Sequence, residues 1–176
     1  MGINTKSIVV NDVEMLLSTQ RVLYISKFKA LILSDVHIGK VAHFQKHGIP
    51  ISSEILQNDL DRLQNAIAYF KPSKVFVVGD LFHAGFNADV QFFYDWLTNF
   101  KEIEFVLIKG NHDQKHLSKH LRIIDDFFEL DNFVLIHEPP KNKEPNKILY
   151  FWSYSPRNVV KRQSQTTHYL TLFYAC

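Results

Sequence analysis

Ala30-Leu31-Ile32-Leu33-Ser34 runs directly into Asp35-Val36-His37, so an apolar stretch ends on a carboxylate and an imidazole two residues apart. The arrangement recurs downstream. Val75-Phe76-Val77-Val78 leads into Gly79-Asp80, Phe105-Val106-Leu107-Ile108 into Gly110-Asn111-His112-Asp113, and Phe133-Val134-Leu135-Ile136 into His137. Continuous runs of β-branched and aromatic residues predict strands buried on both faces. In open α/β sheets the reactive crevice lies beyond the carboxyl ends of such strands. The spacing therefore carries Asp35, His37, Asp80, Asn111, His112 and His137 to one rim.

The segments between these runs supply the connections. Residues 7–10 and 14–25 predict an antiparallel hairpin turning at Asn11-Asp12. Residues 39–50 read as a loop carrying Lys40, His43, Lys46 and His47. A helix is expected over 53–70, where Ile55, Leu56, Leu60, Leu63, Ile67 and Phe70 form a stripe and Ser52 or Ser53 caps the start. A second helix over 88–99 buries Val90, Phe93, Tyr94 and Leu97, with Asn87 as its cap. Tyr69, Phe70, Phe92, Phe93 and Trp96 read as core or helix-packing residues. Strands at 74–78, 104–109, 122–124 and 132–137 complete a β-α-β-α-β order, which implies a largely parallel sheet.

The 176 residues make one domain by length, large enough for a substantial core. A formal charge of +2 excludes a broad basic surface but leaves room for a local basic groove. The single cysteine, Cys176, rules out both a disulfide framework and a thiolate metal site. No apolar segment is long enough to span a bilayer, and the N-terminus has no charged-then-apolar leader pattern, so a cytoplasmic location is expected.

Asp35 and His37 beyond one strand can bind one cation, and Asp80 on the neighbouring strand can bridge to a second. Asn111 then offers a neutral oxygen and His137 a nitrogen. Mixed oxygen and nitrogen ligation suits Mn²⁺, Fe or Zn²⁺. Two such ions roughly 3.5–4 Å apart can hold a hydroxide nucleophile and clamp phosphate oxygens during in-line displacement. His112 is placed to act as general acid toward the leaving oxygen. Asp113 is expected to fix the turn or orient a neighbour. His83 and Lys40 are candidates for substrate contact or ligand support. His112, His116 and His120 stand four residues apart, but no glutamate occupies the position a helical zinc-protease motif requires, so they read as a solvated turn.

Asp35-x-His37, Gly79-Asp80, Gly110-Asn111-His112-Asp113 and His137, in this order and each after a strand, resemble motifs one to four of the calcineurin-like metallophosphoesterases. Asp35-Val36-His37-Ile38-Gly39-Lys40, Phe44 with Gly48-Ile49-Pro50, and Gly79-Asp80-Leu81-Phe82-His83 resemble more closely the bacterial DNA-ligase-associated phosphoesterases, described as DNA-damage-response endonucleases. The similarity covers residues 8–147. It implies a four-layer α/β/β/α sandwich and two divalent metal ions, commonly Mn²⁺. It also implies hydrolysis of phosphodiesters or phosphomonoesters, with DNA or another phosphodiester as substrate. A functional association with DNA ligase and helicase repair proteins follows from the same resemblance.

One family motif is missing. A Gly-His-x-His element, which gives one imidazole to each metal, is expected shortly after the His137 strand. The chain instead reads Phe151-Trp152-Ser153-Tyr154-Ser155-Pro156-Arg157, with no histidine before His168. Glycine also stops at Gly110 and acidic residues at Glu144. Residues 1–147 therefore read as an incomplete metallophosphoesterase domain and 148–176 as an aberrant tail, with the second sheet incomplete at its C-terminal end. A shifted reading frame would account for this, the alternative being that the tail is genuine. Codons TGG TCA TAT TCA for Trp152 to Ser155, read one base later into a proline codon, give GGT CAT ATT CAC, which encodes Gly-His-Ile-His. The chain as written is thus expected to hold metal weakly and to hydrolyse little. The alternatives are a small-molecule phosphoesterase and a non-catalytic metal- or phosphate-binding remnant.

Overall fold

Strand burial in the computed structural model follows the apolar runs. The structure describes residues 2–83, 85–111, 113, 118–138, 149–153 and 168–172. In chain order its elements are β1 (Thr5–Val10), β2 (Val13–Ser18), β3 (Val22–Ile25), β4 (Ala30–Leu33), α1 (Lys40–Lys46), α2 (Glu54–Phe70), β5 (Lys74–Val78), α3 (Ala88–Leu97), β6 (Glu104–Ile108), β7 (Arg122–Ile124), β8 (Phe127–Leu130), β9 (Phe133–Ile136), β10 (Leu149–Ser153) and β11 (His168–Leu172). All of β4, and β5 and β6 beyond their first residues, are buried because both faces of their sheet are covered.

The first sheet runs β1-β2-β3-β4-β5-β6-β7, and the second β11-β10-β9-β8. β4 to β7 are parallel, whereas β1 to β4 form an antiparallel meander. Leu33 pairs with Val77 and Val78 with Ile108, so the central strands end nearly flush. The loops after them consequently leave from one edge.

Two apolar clusters bind the layers. On one face Leu31, Leu33, Val75, Val77, Phe105 and Leu107 meet the buried sides of α2 and α3. On the other, Ile32, Phe76, Val78, Val106 and Ile108 meet Phe133 and Leu135 of β9. This matches the α/β/β part of the expected four-layer sandwich. The outer helical layer of the expected four-layer form is not among the described residues.

Several expectations need correction. The strand predicted over 14–25 breaks at Thr19-Gln20-Arg21, where Arg21 adopts φ 60° and the chain doubles back. Residues 40–46 form α1 rather than loop. Seven residues cannot sustain an isolated helix; this one is held by buried Val41 and by the Asp89 Oδ2 that accepts the Ala42 amide at 2.9 Å. Ile55 is 49 % exposed, because the helical stripe passes through Leu56, Leu60, Leu63, Ile67 and Phe70 instead. On α3 it is Trp96 that is buried with Val90, Phe93 and Leu97, while Tyr94 is only partly so. Tyr69 and Phe92 are exposed rather than core. The Asn87 cap is observed, its side-chain oxygen accepting the Val90 amide at 3.2 Å.

Candidate metal centre

Beyond β4 and β5 the two chains stay laced together. The amides of Asp35, His37 and Ile38 donate to the carbonyls of Gly79, Asp80 and Leu81 at 3.2, 3.0 and 2.7 Å. The His83 amide returns to the Ile38 carbonyl at 2.9 Å. Within this ladder Asp35, His37 and Asp80 all take left-handed backbone, with φ of 55°, 55° and 51°. Such conformations cost non-glycine residues on the order of 1–3 kcal/mol each and persist only where the surroundings impose them. Among the described residues, three of the nine non-glycine residues with left-handed backbone are thus candidate ligands.

Two glycines make the rim tight enough to converge. Gly79 has φ 76°, and a side chain there would overlap the His137 imidazole. A Cβ on Gly110 would lie 2.5 Å from Asp80 Oδ1 and 2.6 Å from the Asp80 amide nitrogen. The glycines of Gly79-Asp80 and Gly110-Asn111 therefore admit the side chains of neighbouring elements.

Asp113 fastens the two loops together. It is 4 % exposed, and its Oδ1 accepts the Phe82 amide at 2.7 Å while Oδ2 accepts that of Gly110 at 2.8 Å. Burial pushes its carboxyl above the ordinary aspartate range, opposed by these amide donors and reinforced by the nearby Asp80 charge. Asp113→Ala should leave both amides without their acceptor and lower stability by about 3 kcal/mol, read as a shifted urea midpoint. A loss under 1 kcal/mol would remove Asp113 from this positioning role.

Ligand atoms of Asp35, His37 and Asp80 all lie within 4.8 Å of one another. His137 Nε2 lies 3.6 Å from Asp80 Oδ1 and 3.2 Å from Asn111 Oδ1. Asp80 belongs to both groups, so the donors form two adjoining sets that share one carboxylate. Metal–ligand bonds of about 2.0–2.2 Å place donors around one ion up to roughly 4.4 Å apart. The observed separations need little adjustment, and the donor chemistry suits a divalent ion of the Mn²⁺, Fe or Zn²⁺ type.

Of the remaining predicted site residues, the His83 ring stands edge-on to His37 with centroids 5.8 Å apart. Lys40 is exposed at the first position of α1. His112, the expected general acid, lies outside the described residues, as do most residues of the 148–176 tail. Sequence reading missed the coupling of α1 to this rim. Asn87 donates from Nδ2 to the Gly39 carbonyl at 3.1 Å, and His43 and Phe44 both approach His83, with centroids 5.6 and 5.9 Å away. Those contacts join residues some forty positions apart and leave no local signal.

The fold and this donor set define a metal-dependent phosphoesterase. The calcineurin-like phosphoesterase family model matches residues 28–169, and the chain belongs to that family. Among solved structures it is similar to nuclease MPE of Pseudomonas putida. That likeness has 27 % identity and a TM-score of 0.69, covering 84 % of this chain and 72 % of the other. No curated protein sequence gives a significant match. No helix among the described residues is long and apolar enough to cross a membrane.

Proposed function

We propose that the chain derives from a dinuclear phosphodiesterase acting on DNA. The sharing of Asp80 between the Asp35–His37 set and the Asn111–His137 set is the observation that carries this reading. The likeness to a nuclease supports a polynucleotide over a small phosphomonoester. In this reading Asp35, His37 and Asp80 would hold one divalent ion, and Asn111 and His137, next to Asp80, would hold a second. When bound, such ions supply Lewis-acid polarisation of the phosphate and an activated water at neutral pH. The chain's own residues do the rest. The lattice of amides from Asp35 to His83 fixes the donors in advance, so binding needs little reorganisation. Asp113 ties Gly110 to the Asp80 loop, and His112 is assigned the protonation of the departing oxygen. His83 braces the His37 ring, and Lys40 neutralises a substrate phosphate.

Catalysis in the chain as written is proposed to be impaired, because no Gly-His-x-His element follows His137 and each ion loses an imidazole. The 148–176 tail is assigned to a shifted reading frame. The purified chain should bind Mn²⁺ weakly in calorimetry and cleave a bis-aryl phosphate little or not at all. Gene sequence across residues 141–176 with TCA at Ser153 and Ser155, and activity gained on deleting one base upstream, would establish the shift. Robust Mn²⁺-dependent cleavage by the unaltered chain would overturn the impairment.

A further inference from the structure

Two imidazoles outside the metal centre are paired on α1. His43 and His47 stand four residues apart, the spacing that brings side chains over one another on a helix. His47 follows the last residue of α1 but keeps its turn, its amide donating to the Phe44 carbonyl at 3.0 Å. The two ring centroids lie 4.5 Å apart, with their planes 43° from parallel. Imidazoles sharing one tetrahedral ion, each through a bond of about 2.0–2.1 Å, have centroids about 5 Å apart. The rings therefore stand at chelating distance.

Hydrogen bonding fixes which nitrogen His47 offers. Its Nδ1 lies 2.8 Å from the His43 carbonyl oxygen. A carbonyl only accepts, so Nδ1 carries the proton and the neutral ring keeps its lone pair on Nε2. A ring N–H held on a backbone carbonyl is a common outer support of metal-binding histidines. The His43 ring makes no hydrogen bond to the protein among the described residues, so its nitrogens are available. His83, 5.6 Å from His43, stands against His37 and belongs to the surroundings of the metal centre. His43 is half-buried and His47 exposed, so an ion between them keeps water in its remaining positions. Lys40 and Lys46 are exposed, and their flexible ammonium groups can remain in solvent.

We propose that His43 and His47 form a separate site for a nitrogen-preferring divalent cation of the Zn²⁺, Ni²⁺ or Cu²⁺ kind, which clips the last turn of α1. Two neutral imidazoles without a carboxylate favour these ions over Mn²⁺, whereas the oxygen-rich set at Asp35, Asp80 and Asn111 suits Mn²⁺. Cross-linking positions four apart stabilises a helix too short to persist alone. The site depends neither on the phosphodiesterase reading nor on catalysis.

The probe is Zn²⁺ alone, titrated calorimetrically into the full chain and into Asp80→Asn, whose metal centre is weakened. His43→Ala and His47→Ala should each remove one Zn²⁺ per chain from both backgrounds, an affinity loss of about 100-fold or more, and leave Mn²⁺ affinity unchanged. Gln45→His/His47→Gln keeps the composition but sets the rings two residues apart, where they do not face each other, and should lose the same ion. In Asp80→Asn, Zn²⁺ at about 100 times its dissociation constant should raise the melting temperature by about 5–10 °C, and His47→Ala should remove that rise. Metal-free melting temperatures within about 2 °C of the parent establish that each variant folds. Zn²⁺ binding that survives all three variants is adventitious and overturns the site. A loss of Mn²⁺ affinity in His47→Ala as large as that of Zn²⁺ places the pair within the metal centre and overturns its independence.

Discussion

Asp80→Asn is expected to lower Mn²⁺ affinity by about 100-fold or more, beyond the roughly 10–100-fold that changes outside the ligand shell produce. Asp80 is the one group shared by both donor sets: it joins Asp35 and His37 within 4.8 Å and lies 3.6 Å from His137 Nε2. Its replacement would therefore remove one of the two candidate ligand oxygens together with the negative charge that would offset bound cations. Asparagine keeps the side chain's shape and one oxygen. The metal-free variant should melt within about 2 °C of the parent, because a surrogate of equal volume leaves the packing unchanged. Isothermal titration and the Mn²⁺ electron paramagnetic resonance signal give affinity and stoichiometry, and differential scanning calorimetry gives the melting temperature. An affinity loss below tenfold would show that the two sets do not share Asp80.

Gly79→Ala should cost about 4 kcal/mol. Left-handed backbone at φ 76° penalises a Cβ by about 1–2 kcal/mol. The overlap of that Cβ with the His137 ring adds overpacking of about 1–3 kcal/mol. Domains of this size are stable by only about 5–15 kcal/mol, so urea denaturation should register a large shift of midpoint. Adding His137→Ala to the alanine variant removes the overlapping ring and should recover 1–3 kcal/mol, roughly the overpacking share. A double variant no more stable than the single one would mean that backbone conformation alone makes glycine necessary at this position.

These effects bear on how much of the site can be read from the chain. Asp35, His37, Asp80, Asn111 and His137 were legible because each follows a strand whose burial on both faces leaves a continuous apolar signature. A strand end in a parallel sheet is a defined place, so residues after such runs share an edge. The helices over 54–70 and 88–97 were legible for the same reason, their stripes being long and regular. α1 was not, because a polar seven-residue helix has almost no periodic signal and depends on Asp89 and Val41 for its stability. β8 was missed too: Phe127–Leu130 is a short edge strand recruited by pairing with β9. The tail gave no readable pattern, although β10 pairs in parallel with β9.

Composition and strand-end chemistry alone specify an α/β chain whose carboxylates and imidazoles converge on one rim, because hydrophobic runs and their terminal residues are local properties. They also show that no Gly-His-x-His element lies within these 176 residues. Three-dimensional packing adds what depends on distant partners. It puts left-handed backbone on three candidate ligand positions, seats the His137 ring over Gly79, clamps two loops through Asp113, and turns α1 toward the rim. Each of these arises where segments far apart in sequence come within hydrogen-bonding or van der Waals reach, and such proximity is not encoded in any single stretch of the chain.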